Sequence, residues 1–164
     1  MEEYVLVGKI VNTHGIKGEL KIISDFELKS KVFKVNKEIF IGPLKEPFKI
    51  SSYRHHQIFD MVTLNGLNDI NDVLKYKNYH VYIKRSSLNL KDTDYLMKEL
   101  IGFDVMENKN SLGKVIDIIY NSKQTLLKVK KTKEFYIPFV DNYILKVDAL
   151  SKKIYTKNAE DLIL

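Results

Sequence analysis

The chain has 164 residues, 45% of them hydrophobic and including ten Tyr and eight Phe, which is enough apolar side chain to pack cores and excludes intrinsic disorder. There is no cysteine, so disulfides and thiolate metal sites are excluded and the cytoplasm is the expected compartment. The formal net charge is +6, from 27 Lys and Arg against 21 Asp and Glu, which favours polyanionic partners. That excess is spread along the chain: residues 1–88 carry 14 basic against 10 acidic side chains and the remainder 13 against 11, so there is no basic tail. Charge admits nucleic acid as a partner without selecting it.

The first residues, MEEYVLVGKIV, open with two acids and reach Lys9 after a short apolar stretch, which is the wrong shape for a signal peptide. No later segment approaches the roughly 18 uninterrupted apolar residues of a spanning helix, so no membrane is expected. Val, Ile, Tyr and Phe gather in short runs separated by Gly, Asn, Asp and Lys, the pattern of many short strands. In chain order the first half predicts strands at Tyr4–Val11, Glu19–Ser24, Glu38–Ile41, Phe48–His56, Met61–Leu64 and His80–Lys84. Six short strands suit a small closed barrel. Before the last of them one short helix is predicted, with Asn68 as its cap, Asp69 and Asp72 in its positive first turn, and Leu67, Ile70, Val73 and Leu74 on one face.

Residues 86–98 (SSLNLKDTDYLMK) lose the alternation and read as a linker. Strands then resume at Ile101–Met106, Lys114–Tyr120, Thr125–Val129, Phe135–Pro138, Ile144–Asp148 and Lys153–Thr156, with turns at Asn108–Ser111 and Asp141–Asn142. The expected organisation is all-β: a first β domain at 1–85, a linker at 86–98 and a second β domain at 99–164.

The most distinctive stretch runs from Val7 to Leu20, where one strand enters His14-Gly15-Ile16-Lys17-Gly18 and another leaves it. Two glycines three apart allow a tight loop, and its tip would offer His14 and Lys17 to phosphate or to backbone carbonyls. The spacing by itself favours a plain hairpin whose glycines serve only geometry, with His14 a packed or solvated ring. It is neither a P-loop nor a dinucleotide fingerprint, because the Gly-x-x-x-x-Gly-Lys-Ser/Thr spacing is absent and no helix follows. His55 and His56 are adjacent on a strand and point to opposite faces, so they do not form a metal pair. Arg54 and Arg85, the two arginines, stand at strand ends, and each suits either a phosphate contact or an ordinary surface ion pair. Lys128–Lys133 reads as a basic hairpin tip. Phe135–Val140 is six apolar residues long, more than one buried face can hold, so part of it is expected to be covered by a partner or another domain. No nucleophile, base and orienting acid occur as a recognisable set.

Taken together, these motifs resemble the RimM family of ribosome maturation factors over nearly the whole chain. The resemblance rests on Gly8-Lys9-Ile10, then His14-Gly15-Ile16-Lys17-Gly18-Glu19, and in the second half on Glu99-Leu100-Ile101-Gly102, Leu112-Gly113-Lys114-Val115, Ile137-Pro138-Phe139-Val140 and Val147-Asp148, in that order. One departure stands before Glu99, where the family usually has paired aromatics followed by Trp and this chain has Tyr95-Leu96-Met97.

The resemblance implies two small β-barrels, the second a PRC-barrel, in a monomeric cytoplasmic factor that is not an enzyme and holds no cofactor. It implies action late in assembly of the small-subunit head and in 16S rRNA processing, with small-subunit ribosomal protein nineteen as the protein partner. His14, Gly15, Lys17, Gly18, Arg54 and Arg85 are then the expected contacts to the ribosome or its RNA. Tyr95, Leu96, Pro138, Phe139 and Asp141 are the expected contacts to the ribosomal protein. A free-standing RNA-binding barrel without a protein partner is the alternative, and an enzyme acting on precursor rRNA a third.

Overall fold

The computed structural model describes residues 2–164, and they fall into two compact units, the first ending at Asn89 and the second running from Leu90 to Leu164. The molecule is mainly β, as the short apolar runs predict. The first unit contains β1 (Tyr4–His14), β2 (Glu19–Ile23), β3 (Glu38–Ile41), β4 (Glu46–His56), β5 (Phe59–Leu64) and β6 (His80–Lys84). These close into a barrel in the order β1-β2-β5-β4-β3-β6, with β6 pairing antiparallel to β1 as well as to β3. Closure leaves no unpaired edge for another chain to extend. Two register shifts in β1, between Leu6 and Gly8 and between Ile10 and Asn12, let this long strand bend around the ring. Ile10, Leu20, Ile22, Ile39, Ile50, Val62, Leu64 and Ile83 are fully buried and form the interior.

The short helix α1 (Ile70–Val73) is capped by Asp69, whose carboxylate accepts from the Asn71 amide at 2.8 Å. Asn68 is therefore not the cap: the helix starts one residue later than its sequence signature suggests. A 3-10 turn at Leu74–Tyr76 follows at once, and the change of pitch leaves Leu74 51% exposed while Tyr76 is buried. Leu74 is thus not on the buried face predicted for it.

Tyr76 packs edge-on against Phe48 and donates its hydroxyl to Glu46 at 3.1 Å. Burial and that carboxylate push its pKa up to about 12. On β4, burial and the Asp60 carboxylate, 2.7 Å from the hydroxyl, likewise push Tyr53 up to about 12. Unfolded tyrosine titrates near 10, so between about pH 10 and 12 only the unfolded state loses these protons, and stability present below pH 10 is lost across that window. For the buried Tyr76 the loss has an upper bound of about 3 kcal/mol; the 38% exposed Tyr53 contributes less. Thermal melts at pH 9, 10 and 11 should show the fall, and Tyr76→Phe should flatten it.

The stretch expected to be a linker is partly structured. Residues Arg85–Leu88 form a 3-10 turn, Leu88 is buried, and the Leu88 and Ser87 carbonyls accept from Lys31 Nζ at 3.1 Å and Lys37 Nζ at 2.6 Å. Burial pulls the Lys37 pKa down, helped by the neighbouring Lys34 and Lys31.

The second unit contains β7 (Asp104–Glu107), β8 (Asn110–Tyr120), β9 (Thr125–Lys130), β10 (Glu134–Pro138), β11 (Ile144–Asp148) and β12 (Lys153–Thr156). Their hydrogen-bonded order is β10-β9-β8-β7-β12-β11, and the β7–β12 pair is parallel. Leu100, Phe103, Val105, Val115, Leu127, Val129, Phe135, Ile137 and Ile154 make its core. Here β7 begins at Asp104 rather than Ile101. Residues Met97–Leu100 are a 3-10 turn in which Glu99 accepts from the Leu96 amide at 2.9 Å, so Leu100 turns into the core and Ile101 stays 46% exposed. Glu107 is a buried carboxylate that accepts from the Ala159 amide at 2.7 Å and ties the last turn to β7.

Candidate functional site

The loop between β1 and β2 is fixed by the segment preceding α1. The Ile70 amide donates to the Ile16 carbonyl at 2.9 Å. Gly18, at φ +82°, passes so close that a Cβ there would lie 3.0 Å from the Asp69 carbonyl oxygen and 3.2 Å from that of Leu67. Only a residue without a side chain fits both that backbone conformation and that approach. The loop is thereby a seated element whose outer side carries His14, Gly15, Ile16 and Lys17, all exposed. With Glu19 and Thr63 these four line an open hollow.

Behind the tip stands Glu19, which Arg54 grips with both arms of its fork: Nε lies 2.9 Å from one carboxylate oxygen and Nη2 2.7 Å from the other. The hydrogen bond from Arg54 holds the Glu19 carboxyl below its usual range against the opposing effect of burial, and the charges of Arg54, His14 and His56 add to it. Arg54 therefore serves first to anchor β4 to β2, since a bidentate pair fixes geometry as well as charge. Its guanidinium remains about half exposed.

The structure brings His14, Gly15, Lys17, Gly18 and Arg54 to one end of β1. It leaves Arg85 elsewhere. Arg85 follows Lys84, which pairs with Tyr4 at the opposite end of β1 from His14. The sequence reading also passed over Ile16, which at 79% exposure makes the tip partly apolar. Its signal was an isoleucine between two glycines, at a position where no strand could bury it.

In the second unit Tyr95 and Phe139 pack against the core and Leu96 is itself buried, whereas Pro138 is half-buried at the end of edge strand β10 and Asp141 is exposed in the following turn. A proline is tolerated there because an edge strand has no ladder bond to lose on its outer side. Pro138 pairs with Leu126, and Leu126 with Ile119, so an apolar row crosses the face opposite the core; Tyr136 stands beside it, 46% exposed. The basic hairpin tip is less free than its sequence suggests: Lys128 pairs with Glu134 at 3.2 Å, and Lys131 Nζ donates to the Ser111 carbonyl at 3.1 Å. Among the described residues no group of three metal-ligating side chains occurs, and no helix is long and apolar enough to cross a membrane.

Two β units, one a closed barrel with a seated glycine loop and one a six-stranded sheet with an apolar row on its outer face, define a class of two-domain, mainly β proteins. Residues 5–88 match the RimM N-terminal domain and residues 97–162 the RimM PRC barrel domain. The chain belongs to the RimM family. It is 35% identical over 157 residues to the ribosome maturation factor RimM of Exiguobacterium sibiricum, a match covering 93% of each chain. Against that of Staphylococcus haemolyticus it is 34% identical over 164 residues, covering 97% of this chain and 98% of the relative. The crystal structure of a putative 16S ribosomal RNA processing protein RimM from Pseudomonas aeruginosa overlays with a TM-score of 0.46 at 22% identity, covering 96% of this chain and 99% of that one.

Proposed function

We propose that this chain is a ribosome maturation factor of the cytoplasm that binds the immature small subunit and makes and breaks no covalent bond. The observation that carries the reading is the match of both units, in order and over nearly the full length, to relatives named for that role. Finer assignments follow from the two surfaces. The seated loop presents Lys17 and His14 to 16S rRNA phosphate, with Arg54 held beside them by Glu19. Pro138 with its apolar row, flanked by Asp141, takes a small-subunit protein, for which protein nineteen is our candidate. The factor acts as a monomer in late maturation of the subunit head and in 16S rRNA processing. Its leverage is differential affinity: it stabilises the arrangement it binds best and leaves once the mature head no longer fits.

Tagged protein should co-sediment with immature small subunits and not with mature ones. Phosphate contacts release counterions, so the bound fraction should fall steeply between about 50 and 200 mM salt. Binding that ignores salt would move the weight from the loop to the apolar row. Absence from immature particles at low salt would end the reading.

A further inference from the structure

The outer wall of the first barrel carries a feature that neither the seated loop nor the second unit uses. Along β1, β6 and β3 the outward positions align as Tyr4 beside Lys84, and as Leu6 beside Tyr82 beside Phe40. Phe40 is buried on this outer side, and Tyr4 meets it edge-on with ring centroids 5.0 Å apart. Two lysines lie over the rings: Lys45 Nζ is 4.1 Å from the Tyr82 centroid and Lys84 Nζ 5.2 Å from that of Phe40. Neither forms an ion pair with a carboxylate among the described residues. Tyr4 and Leu6 remain 38% and 48% exposed.

We infer that this wall is a second RNA-binding surface, one that takes a single-stranded segment by stacking bases on Tyr4 and Tyr82 and pairing its phosphates with Lys45 and Lys84. The argument is one of complementarity. Aromatic rings set beside lysines match a polymer whose repeat is a flat base next to an anion. Tyr4 and Tyr82 are diagonal neighbours across β1 and β6, about 7–8 Å apart, within reach of successive splayed nucleotides. Lys45 over the Tyr82 ring marks where a base would lie. An incoming base takes the ring face, and the ammonium moves to the adjoining phosphate, so one cation–π contact is exchanged for a stack and an ion pair. An acidic peptide would satisfy the lysines but leave the tyrosine faces without a flat partner.

This inference rests on the reading of the chain as a factor for an RNA-containing particle, but the two fail separately. The full chain is titrated into a fluorescein-labelled twelve-nucleotide single-stranded RNA of mixed sequence, and anisotropy is followed at several salt concentrations. The sequence contains no tryptophan, so tyrosine emission also reports stacking through its quenching. Tyr82→Leu should weaken binding about tenfold and lose part of the quenching, while Tyr82→Phe should bind as wild type does. Lys45→Glu, an exchange on the surface that leaves the rings in place, should weaken binding and shallow the salt slope. The surface is refuted if the wild-type chain does not bind the oligonucleotide. It is refuted too if Lys45→Glu and a folded Tyr82→Leu bind unchanged while Lys17→Ala abolishes binding, or if polyglutamate displaces the RNA from wild type and Tyr82→Leu alike. Co-sedimentation of the wild-type chain with immature subunits judges the wider reading, whatever the oligonucleotide does.

Discussion

Gly113→Ala should destabilise the second unit by about 3 kcal/mol or more, one of the largest effects available from adding a single methyl group. Gly113 sits at φ +124°, outside the region that residues with a Cβ adopt, and its neighbour across the ladder is main chain. An added Cβ would lie 2.5 Å from the Lys130 carbonyl oxygen and 2.7 Å from the carbonyl carbon. No side chain can swing aside to relieve this. Clearance requires β8 to separate from β9, and two residues on, Val115 pairs with Val129 in the middle of the core. In urea the second unit should therefore unfold earlier while the first keeps its midpoint. Lys114→Ala, next in the chain but with a 62% exposed side chain, should move neither by more than about 0.5 kcal/mol. Equal shifts for the two variants would refute the close approach as the cause.

Gly18→Val and Gly15→Val should separate the seating of the loop from the shape of its backbone. Both glycines have positive φ, +82° and +76°. At Gly15 an added Cβ meets nothing within 4 Å, so valine there incurs only the left-handed penalty of about 1–2 kcal/mol. At Gly18 the same penalty is joined by contact with the backbone of Leu67 and Asp69, which must retreat and take with it the bond from the Ile70 amide to Ile16. Subunit binding should drop at least tenfold further in Gly18→Val than in Gly15→Val, with the barrel still folded by circular dichroism. Indistinguishable affinities would mean that seating contributes nothing to recognition.

Much of the β organisation was legible. Glu38–Ile41, His80–Lys84, Ile144–Asp148 and Lys153–Thr156 are strands with the predicted limits, each a short run rich in β-branched and aromatic residues. Ends that were missed failed for identifiable reasons. β1 continues to His14 since Asn12 and Thr13 are held by pairing with Lys21 and Leu20, a tertiary effect that overrides the weak strand preference of Asn12. Ile101 looked like the start of a strand because it is apolar, yet its backbone belongs to the turn that Glu99 organises. The parallel pairing of β7 with β12 had no signature, as nothing in either segment names a partner some fifty residues away.

The candidate site was legible as a motif and opaque as geometry. His14-Gly15-Ile16-Lys17-Gly18 marked the loop, but the reason for its second glycine lies in Leu67 and Asp69, half the first unit away in sequence. Arg54 was singled out as a phosphate ligand or an ion-pair member, and its partner Glu19 had already been quoted within the motif without any hint that they meet. Leu96, expected at a partner surface, is buried because the short turn beside Glu99 folds it inward.

The parallel partnership of β7 and β12 sets a timetable for synthesis. The first barrel can close once Lys84 has cleared the exit tunnel, but β7, made soon afterwards, must wait until Thr156 emerges before its second flank is covered. During that interval an unpaired strand edge is on display, so ribosomes paused between these codons should yield chains whose first half resists protease and whose second half is digested.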